Sequence, residues 1–215
     1  MKKVIILIFS IILLIPAANA QRSKGRQVSR FTFMTSVGYA NGVGHIDLKG
    51  TDGISTIKSV NNNIPNFQIH QLLAYQFDNF FTMGIESGFD IWRRTAFIPI
   101  YLNLSVNMTN ATKVAPMTFF NLGWEFKWYG QTQPESTDKV VHGTNWGPSG
   151  EFGLGMRLRF TDKLSLVIAG VYKMQYSKIG YSIPEEGEPD YSDLYPNKYQ
   201  NAFYHFAGVK IGIAY

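Results

Sequence analysis

The chain has no cysteine among its 215 residues. Disulfides are excluded, and so is the lipid-modified cysteine that anchors a lipoprotein, so stability has to come from packing and backbone pairing. The charge is poorly biased as well: 20 Lys and Arg face 15 Asp and Glu, and Lys2 and Lys3 lie in the N-terminal leader, which leaves 18 against 15. So small a basic excess argues against a nucleic-acid partner. Beyond residue 15 no apolar run approaches the roughly 18 residues a membrane-crossing helix needs. If the mature chain spans a bilayer, it must do so as a closed β-barrel, the other structure that satisfies every backbone group in lipid.

What is present begins with a targeting segment. Lys2 and Lys3 precede residues 4–15, in which only Ser10 is polar, and Pro16 and Ala18-Asn19-Ala20 follow. Charged, apolar and small-residue stretches in that order form a secretory signal, with Ala18 and Ala20 as the cleavage-site residues. Twelve helical residues reach about 18 Å, short of a hydrocarbon core of about 30 Å. The expected division is a cleaved signal at 1–20, an N-terminal periplasmic segment at 21–29 and one β-domain at 30–215.

The mature chain has a period of two. Phe31, Phe33, Val37 and Tyr39 alternate with Thr32, Met34, Ser36 and Gly38, and Phe67, Ile69, Leu73, Tyr75 and Phe77 with Gln68, His70, Ala74 and Gln76. Phe81, Met83, Ile85, Phe89 and Ile91 oppose Thr82, Gly84, Glu86, Gly88 and Asp90. Five more segments follow at 98–106, 120–128, 151–160, 164–176 and 208–215. Each is about ten residues, the length of a tilted membrane strand. The count is even, so both termini fall at one end. The links near 78–79 and 161–163 are short, whereas 40–65, 129–149 and 177–201 are long and polar. Links 92–96 and 107–116 depart from that alternation. The expected fold is all-β, an eight-stranded antiparallel up-and-down transmembrane β-barrel. Periodicity alone does not say which face is outside, because a soluble eight-stranded barrel would turn its apolar face inward. The purity of the aliphatic and aromatic face favours lipid.

Three stretches carry a resemblance. Ile98-Pro99-Ile100-Tyr101-Leu102-Asn103-Leu104, Phe119-Phe120-Asn121-Leu122-Gly123-Trp124 and the terminal Gly208-Val209-Lys210-Ile211-Gly212-Ile213-Ala214-Tyr215 are similar to strands of the small eight-stranded outer-membrane β-barrel superfamily. That group holds the transmembrane domain of outer-membrane protein A and the PorT-like barrels. The resemblance implies an outer-membrane location with both termini periplasmic. It also implies that Val209, Ile211, Ile213 and Tyr215 are the signal read by the barrel-assembly machinery. Phe is usual at the last position, so Tyr215 is a departure.

Candidate sites are mostly structural. Eight strands leave an interior that side chains just fill. Glu86, Glu125, Glu151, Lys127, Arg157, Arg159, Lys173 and Lys210 share the polar face, and buried charges need partners, so an ion-pair plug is expected over a narrow porin-like conduit. Glu185, Glu186, Glu188, Asp190 and Asp193 make loop 177–201 acidic, yet their spacing matches no calcium loop. His45, His70, His142 and His205 lack metal-ligand spacing and show no Ser partner for a triad, so no catalytic residue, metal or cofactor is expected. Tyr39, Trp92, Trp128, Trp146, Tyr176 and Tyr204 would form an external aromatic girdle; Tyr75, Phe77, Phe160 and Tyr215 would form a periplasmic one. The functional expectation is a non-catalytic outer-membrane protein with a structural or surface-interaction role. Lipid and lipopolysaccharide are its surroundings and the assembly machinery its partner during insertion. A secretion-accessory barrel and a lipid A-modifying enzyme are the alternatives.

Overall fold

The computed structural model describes residues 31–49, 56–77, 80–92, 95–107, 113–130, 140–141, 147–161, 164–181 and 198–215. Leader 1–20, segment 21–29, the turn at 78–79, Trp146, His142 and the acidic residues of loop 177–201 lie outside them. The described chain is all strand: β1 (Phe31–Val43), β2 (His45–Lys49), β3 (Thr56–Asn61), β4 (Pro65–Gln76), β5 (Phe81–Trp92), β6 (Thr95–Asn107), β7 (Val114–Tyr129), β8 (Val140–Val141), β9 (Gly147–Arg159), β10 (Ser165–Tyr181) and β11 (Lys198–Ala214). β-Branched and aromatic residues at alternate positions suit a pleated wall with two different faces.

Eight of these strands close on themselves in the order β11-β1-β4-β5-β6-β7-β9-β10, with β10 paired back to β11. Every pairing is antiparallel between barrel neighbours. Ile213 shows the closure: it lies opposite Thr35 on one side and Leu166 on the other. Phe33 and Tyr215 exchange backbone hydrogen bonds of 2.8 and 2.9 Å, so both ends of the barrel chain meet at one rim, called here the terminal end. The opposite rim is the loop end.

Sidedness follows from exposure. The odd positions of β4, β5 and β11 and the even positions of β7 and β9 point outward, and most of them are apolar: Ile85 is 62 % exposed, Leu122 55 % and Leu154 55 %. A soluble protein would not surround itself with such a wall, whereas hydrocarbon requires one. The inner face carries the buried carboxylates and ammonium groups. The apolar face therefore looks outward, which excludes the soluble alternative.

Strands run further than the bilayer demands. β10 and β11 stay paired to Tyr181 and Lys198, inside the stretch expected as a loop, and β7 begins at Val114. Beyond lipid, ladder pairing still satisfies the backbone without any apolar pattern. Within 40–65, β2 and β3 form a hairpin. Gly44, with φ of 82°, makes the bend from β1 into β2, a conformation that favours glycine. The hairpin is tied to β11 by Gln200, which accepts from the Lys49 N–H at 2.8 Å and donates to the Asp47 carbonyl at 2.7 Å.

The lumen has three layers. At the loop end Ala40, Trp92, Phe97, Ala202, Tyr204 and Phe206 pack with Ile46 of β2 and with Ile64. Trp92 stacks on Phe97 with ring centres 5.1 Å apart and meets Tyr204 at 4.8 Å. Trp92 and Tyr204 thus point inward rather than joining an outer girdle. They share the parity of Glu86 and Lys210, and burying their rings removes them from any interface. Tyr39 and Trp128 do point outward, as do Phe77 and Phe160 at the terminal end. A second apolar layer near that end holds Met34, Leu72, Ala74, Met117, Phe119, Val167, Ala169, Val171 and Ala214. Between the two lies a charged layer.

Candidate functional site

The charged layer is built on β5. Glu86 and Asp90 sit on its inner face with Gly88 between them, and His70 of β4 lies directly across from Gly88. A Cβ on Gly88 would come within 2.0 Å of the Ile69 carbonyl and 2.9 Å of the His70 ring, so only glycine leaves room for the imidazole. His70 then spans both carboxylates, Nδ1 to Glu86 and Nε2 to Asp90, each at 2.7 Å. Lys210 Nζ also lies 3.4 Å from the same Nδ1, so the imidazole is enclosed by both carboxylates and an ammonium.

Two lysines complete the layer from the other side. Lys173 of β10 bonds Asp90 and lies 2.6 Å from Glu125 of β7. Lys210 of β11 bonds Glu151 of β9 and lies 3.1 Å from Glu86. The Tyr101 hydroxyl donates to Glu125 at 2.5 Å. Asn121 donates to Glu86 at 3.2 Å and to Glu151 at 3.1 Å, and Asn103 donates to Asn121 at 2.6 Å. All of these side chains are buried, Glu86, Asp90, Glu125 and Lys173 completely. The contributors come from β4, β5, β6, β7, β9, β10 and β11, so the network buckles seven walls of the barrel across its axis. Each ammonium also faces an apolar layer: Lys173 lies 5.9 Å from the Phe206 ring centre and Lys210 lies 5.3 Å from that of Phe119.

Of the charges expected here, the structure brings Glu86, Glu125, Glu151, Lys173 and Lys210 together. Lys127 and Arg157 stand apart, and neither has a carboxylate partner among the described residues. Arg157 instead lines a cavity of about 30 Å³ near the terminal end, beside Met34, Asn103, Ser105 and Phe119, room for a water or two. Arg159 lies at the same rim, its N–H donating to the Lys113 carbonyl at 2.7 Å. His70, Asp90, Tyr101, Asn103 and Asn121 were not picked out by charge counting. The signal for two of them was present: Glu-x-Gly-x-Asp on one strand face, with a histidine of matching parity on the strand before.

The remaining expected positions lie on the wall. Val209, Ile211 and Ile213 face outward, each half exposed, and Tyr215 stacks on Phe33 with ring centres 6.3 Å apart. His205 is also on the outer face, where its Nδ1 lies 2.9 Å from the Tyr172 hydroxyl. His45 is exposed in the hairpin. Chemically, the charged layer binds strands to one another. Its four carboxylates share three basic side chains, Lys173, Lys210 and His70, with Tyr101 and Asn121 as neutral donors, and both its approaches are covered by apolar side chains.

No family model and no curated protein matches the sequence. Among solved structures, the chain is similar to the outer membrane protein OprG from Pseudomonas aeruginosa at 14 % identity, over 87 % of this chain and 97 % of that one, with a TM-score of 0.49. It is similar to the outer membrane protein AlkL, 11 % identical over 90 % and 93 % of the two chains, TM-score 0.49. Neisserial surface protein A is 11 % identical over 86 % and 96 %, with a TM-score of 0.47. The closed strand ladder and the apolar outer wall of this chain make it a small eight-stranded antiparallel transmembrane β-barrel.

Proposed function

We propose that the chain is an outer-membrane barrel with a structural or surface-interaction role and a lumen closed by its own side chains. The observation that carries this reading is the layering of the interior. An ion entering from the loop end meets Trp92, Phe97, Tyr204 and Phe206, then the paired charges, then Met34, Leu72, Met117 and Phe119. The order of charges and apolar residues at 1–20 supports export, and the terminal strand with Val209, Ile211, Ile213 and Tyr215 supports handling by the barrel-assembly machinery. On this reading both termini are periplasmic and the loop end faces outward. The surface work falls to loops 40–65, 129–149 and 177–201, surrounded by lipopolysaccharide. The barrel is non-catalytic: His70 is locked between two carboxylates and His205 is paired with Tyr172.

The direct test is conductance. Purified barrel in a planar bilayer is expected to stay silent, and steady single-channel steps from the unmodified protein would overturn the closed lumen. Fractionation with the outer membrane, together with faster gel migration of the unheated sample, tests the location. Recovery as a purely soluble periplasmic protein would end it. For catalysis, lipid A mass spectra of a deletion strain and its complement are expected to be identical.

A further inference from the structure

The outer wall carries a polar row midway along three of its strands. Thr35 of β1 lies opposite Gln71 of β4, and Gln71 lies opposite Ser87 of β5. All three take the outward parity of their strands and are partly exposed, so they form a polar row across three adjacent strands. Their outward neighbours along the strands, among them Val37, Ile69, Leu73 and Ile85, are apolar and exposed. Gln71 sits midway between Phe67 and Tyr75, four residues from each. Four residues of tilted strand cover roughly 10 Å of depth, so the row lies near the bilayer centre, out of reach of headgroups on either side.

Two of the three side chains are satisfied within the wall. The Ser87 hydroxyl donates to the Pro99 carbonyl at 2.8 Å, and Thr35 Oγ1 accepts from Gln71 Nε2 at 3.1 Å while lying 3.4 Å from the Tyr215 hydroxyl. Gln71 is not. A carboxamide has two N–H donors and a carbonyl acceptor, and the Thr35 contact uses one donor. One N–H and Oε1 remain without a partner among the described residues, facing hydrocarbon that offers neither donor nor acceptor.

We infer that this row is where a second copy of the chain docks, with the two Gln71 carboxamides paired reciprocally. Symmetry selects that partner. Two copies inserted in the same orientation are related by a two-fold axis along the membrane normal, which brings each residue to its own counterpart at equal depth. A spare N–H and a spare carbonyl on one side chain are self-complementary: each Gln71 donates to the other's Oε1. Lipid cannot supply this, and the flanking Ile69, Leu73, Val37 and Ile85 provide the apolar rim that packs around it. In lipid, close packing and interfacial hydrogen bonds drive such association.

The inference rests on the barrel lying in a bilayer, so membrane insertion is checked first by gel migration before and after heating. Failure there strikes the membrane reading itself and the pairing with it. Sedimentation equilibrium of the full chain in density-matched micelles is expected to show a reversible dimer. Gln71→Leu, which makes the lipid face more apolar and gives up the Thr35 contact, should weaken that dimer about tenfold, the scale of the two reciprocal hydrogen bonds it removes. Leu154→Ala, on β9 four strands away around the barrel, should leave it unchanged. Because the chain has no cysteine, Leu73→Cys gives a clean second arm. Iodine oxidation in outer membranes should yield a disulfide-linked dimer from Leu73→Cys and none from Leu154→Cys. A monomeric parent chain, a Gln71→Leu dimer as tight as the parent's, equal linkage at position 154, or linkage of position 73 only to a protein of another mass would each overturn the proposal.

Discussion

At the scale of single residues, the charged layer is stable only as a set. Removing one member of a buried pair leaves an uncompensated charge where water cannot reach it, at a cost of about 3–5 kcal/mol. Lys173→Met should therefore lower unfolding stability by about that amount, since it strips Asp90 and Glu125 of one cation at once. Urea titration of vesicle-inserted protein, followed by tryptophan fluorescence, measures it; a change under 1 kcal/mol would mean the layer is not carrying strand contacts. Gly88→Ala attacks the same set without touching a charge. Its new methyl group meets the Ile69 carbonyl and the His70 ring, so the imidazole has to leave one carboxylate. It should destabilise in the same titration, whereas Gly170→Ala, whose added methyl would come no nearer than 3.9 Å to its neighbours, should not.

At the scale of strands, each element has one face in lipid and one in the lumen, and the two respond differently to the same chemistry. Leu122 lies at the centre of the outward face of β7, and Leu122→Arg should cost about 2–4 kcal/mol of insertion free energy, the penalty for a cation near the bilayer midplane. A cation at Lys127, half-buried near the loop end of the same strand, is already tolerated. The closing strand carries a further expectation. Tyr215 stacks on Phe33, exchanges backbone bonds with it and reaches Thr35, so truncating its ring weakens the last contact of the ladder. Tyr215→Ala should reduce the fraction of heat-modifiable barrel recovered from outer membranes, and Tyr215→Phe should restore it, because the ring rather than the hydroxyl makes the stack.

At the scale of the whole barrel, closure is redundant. Opening the loop-end layer with Trp92→Ala and Tyr204→Ala leaves the ion pairs and the second apolar layer in place. The double variant is expected to remain silent in a planar bilayer, like the parent. Conductance from that variant alone would show that the aromatic layer is the sole barrier and that the charged layer is a wetted path.

Much of this was legible along the chain. A period of two assigns residues such as Ile85 and Glu86 to opposite faces whatever the neighbours are, because alternation is a property of one strand. The same parity would have turned Trp92 and Tyr204 inward; composition at a strand end, which favours a girdle, suggested the opposite. Strand limits at Val114, Lys198 and Tyr181 were hidden because pairing outside lipid needs only a partner backbone, not an apolar pattern. Which charges meet was hidden too. Lys173 bonds Asp90 across the lumen, 83 positions away in sequence, and that distance collapses only when eight strands close with a particular stagger. The sequence by itself determined the eight barrel strands and which residues of each share a face, through local periodicity. The tertiary structure alone decided the pairings across the lumen and left Gln71 exposed beside Thr35, because both depend on inter-strand register.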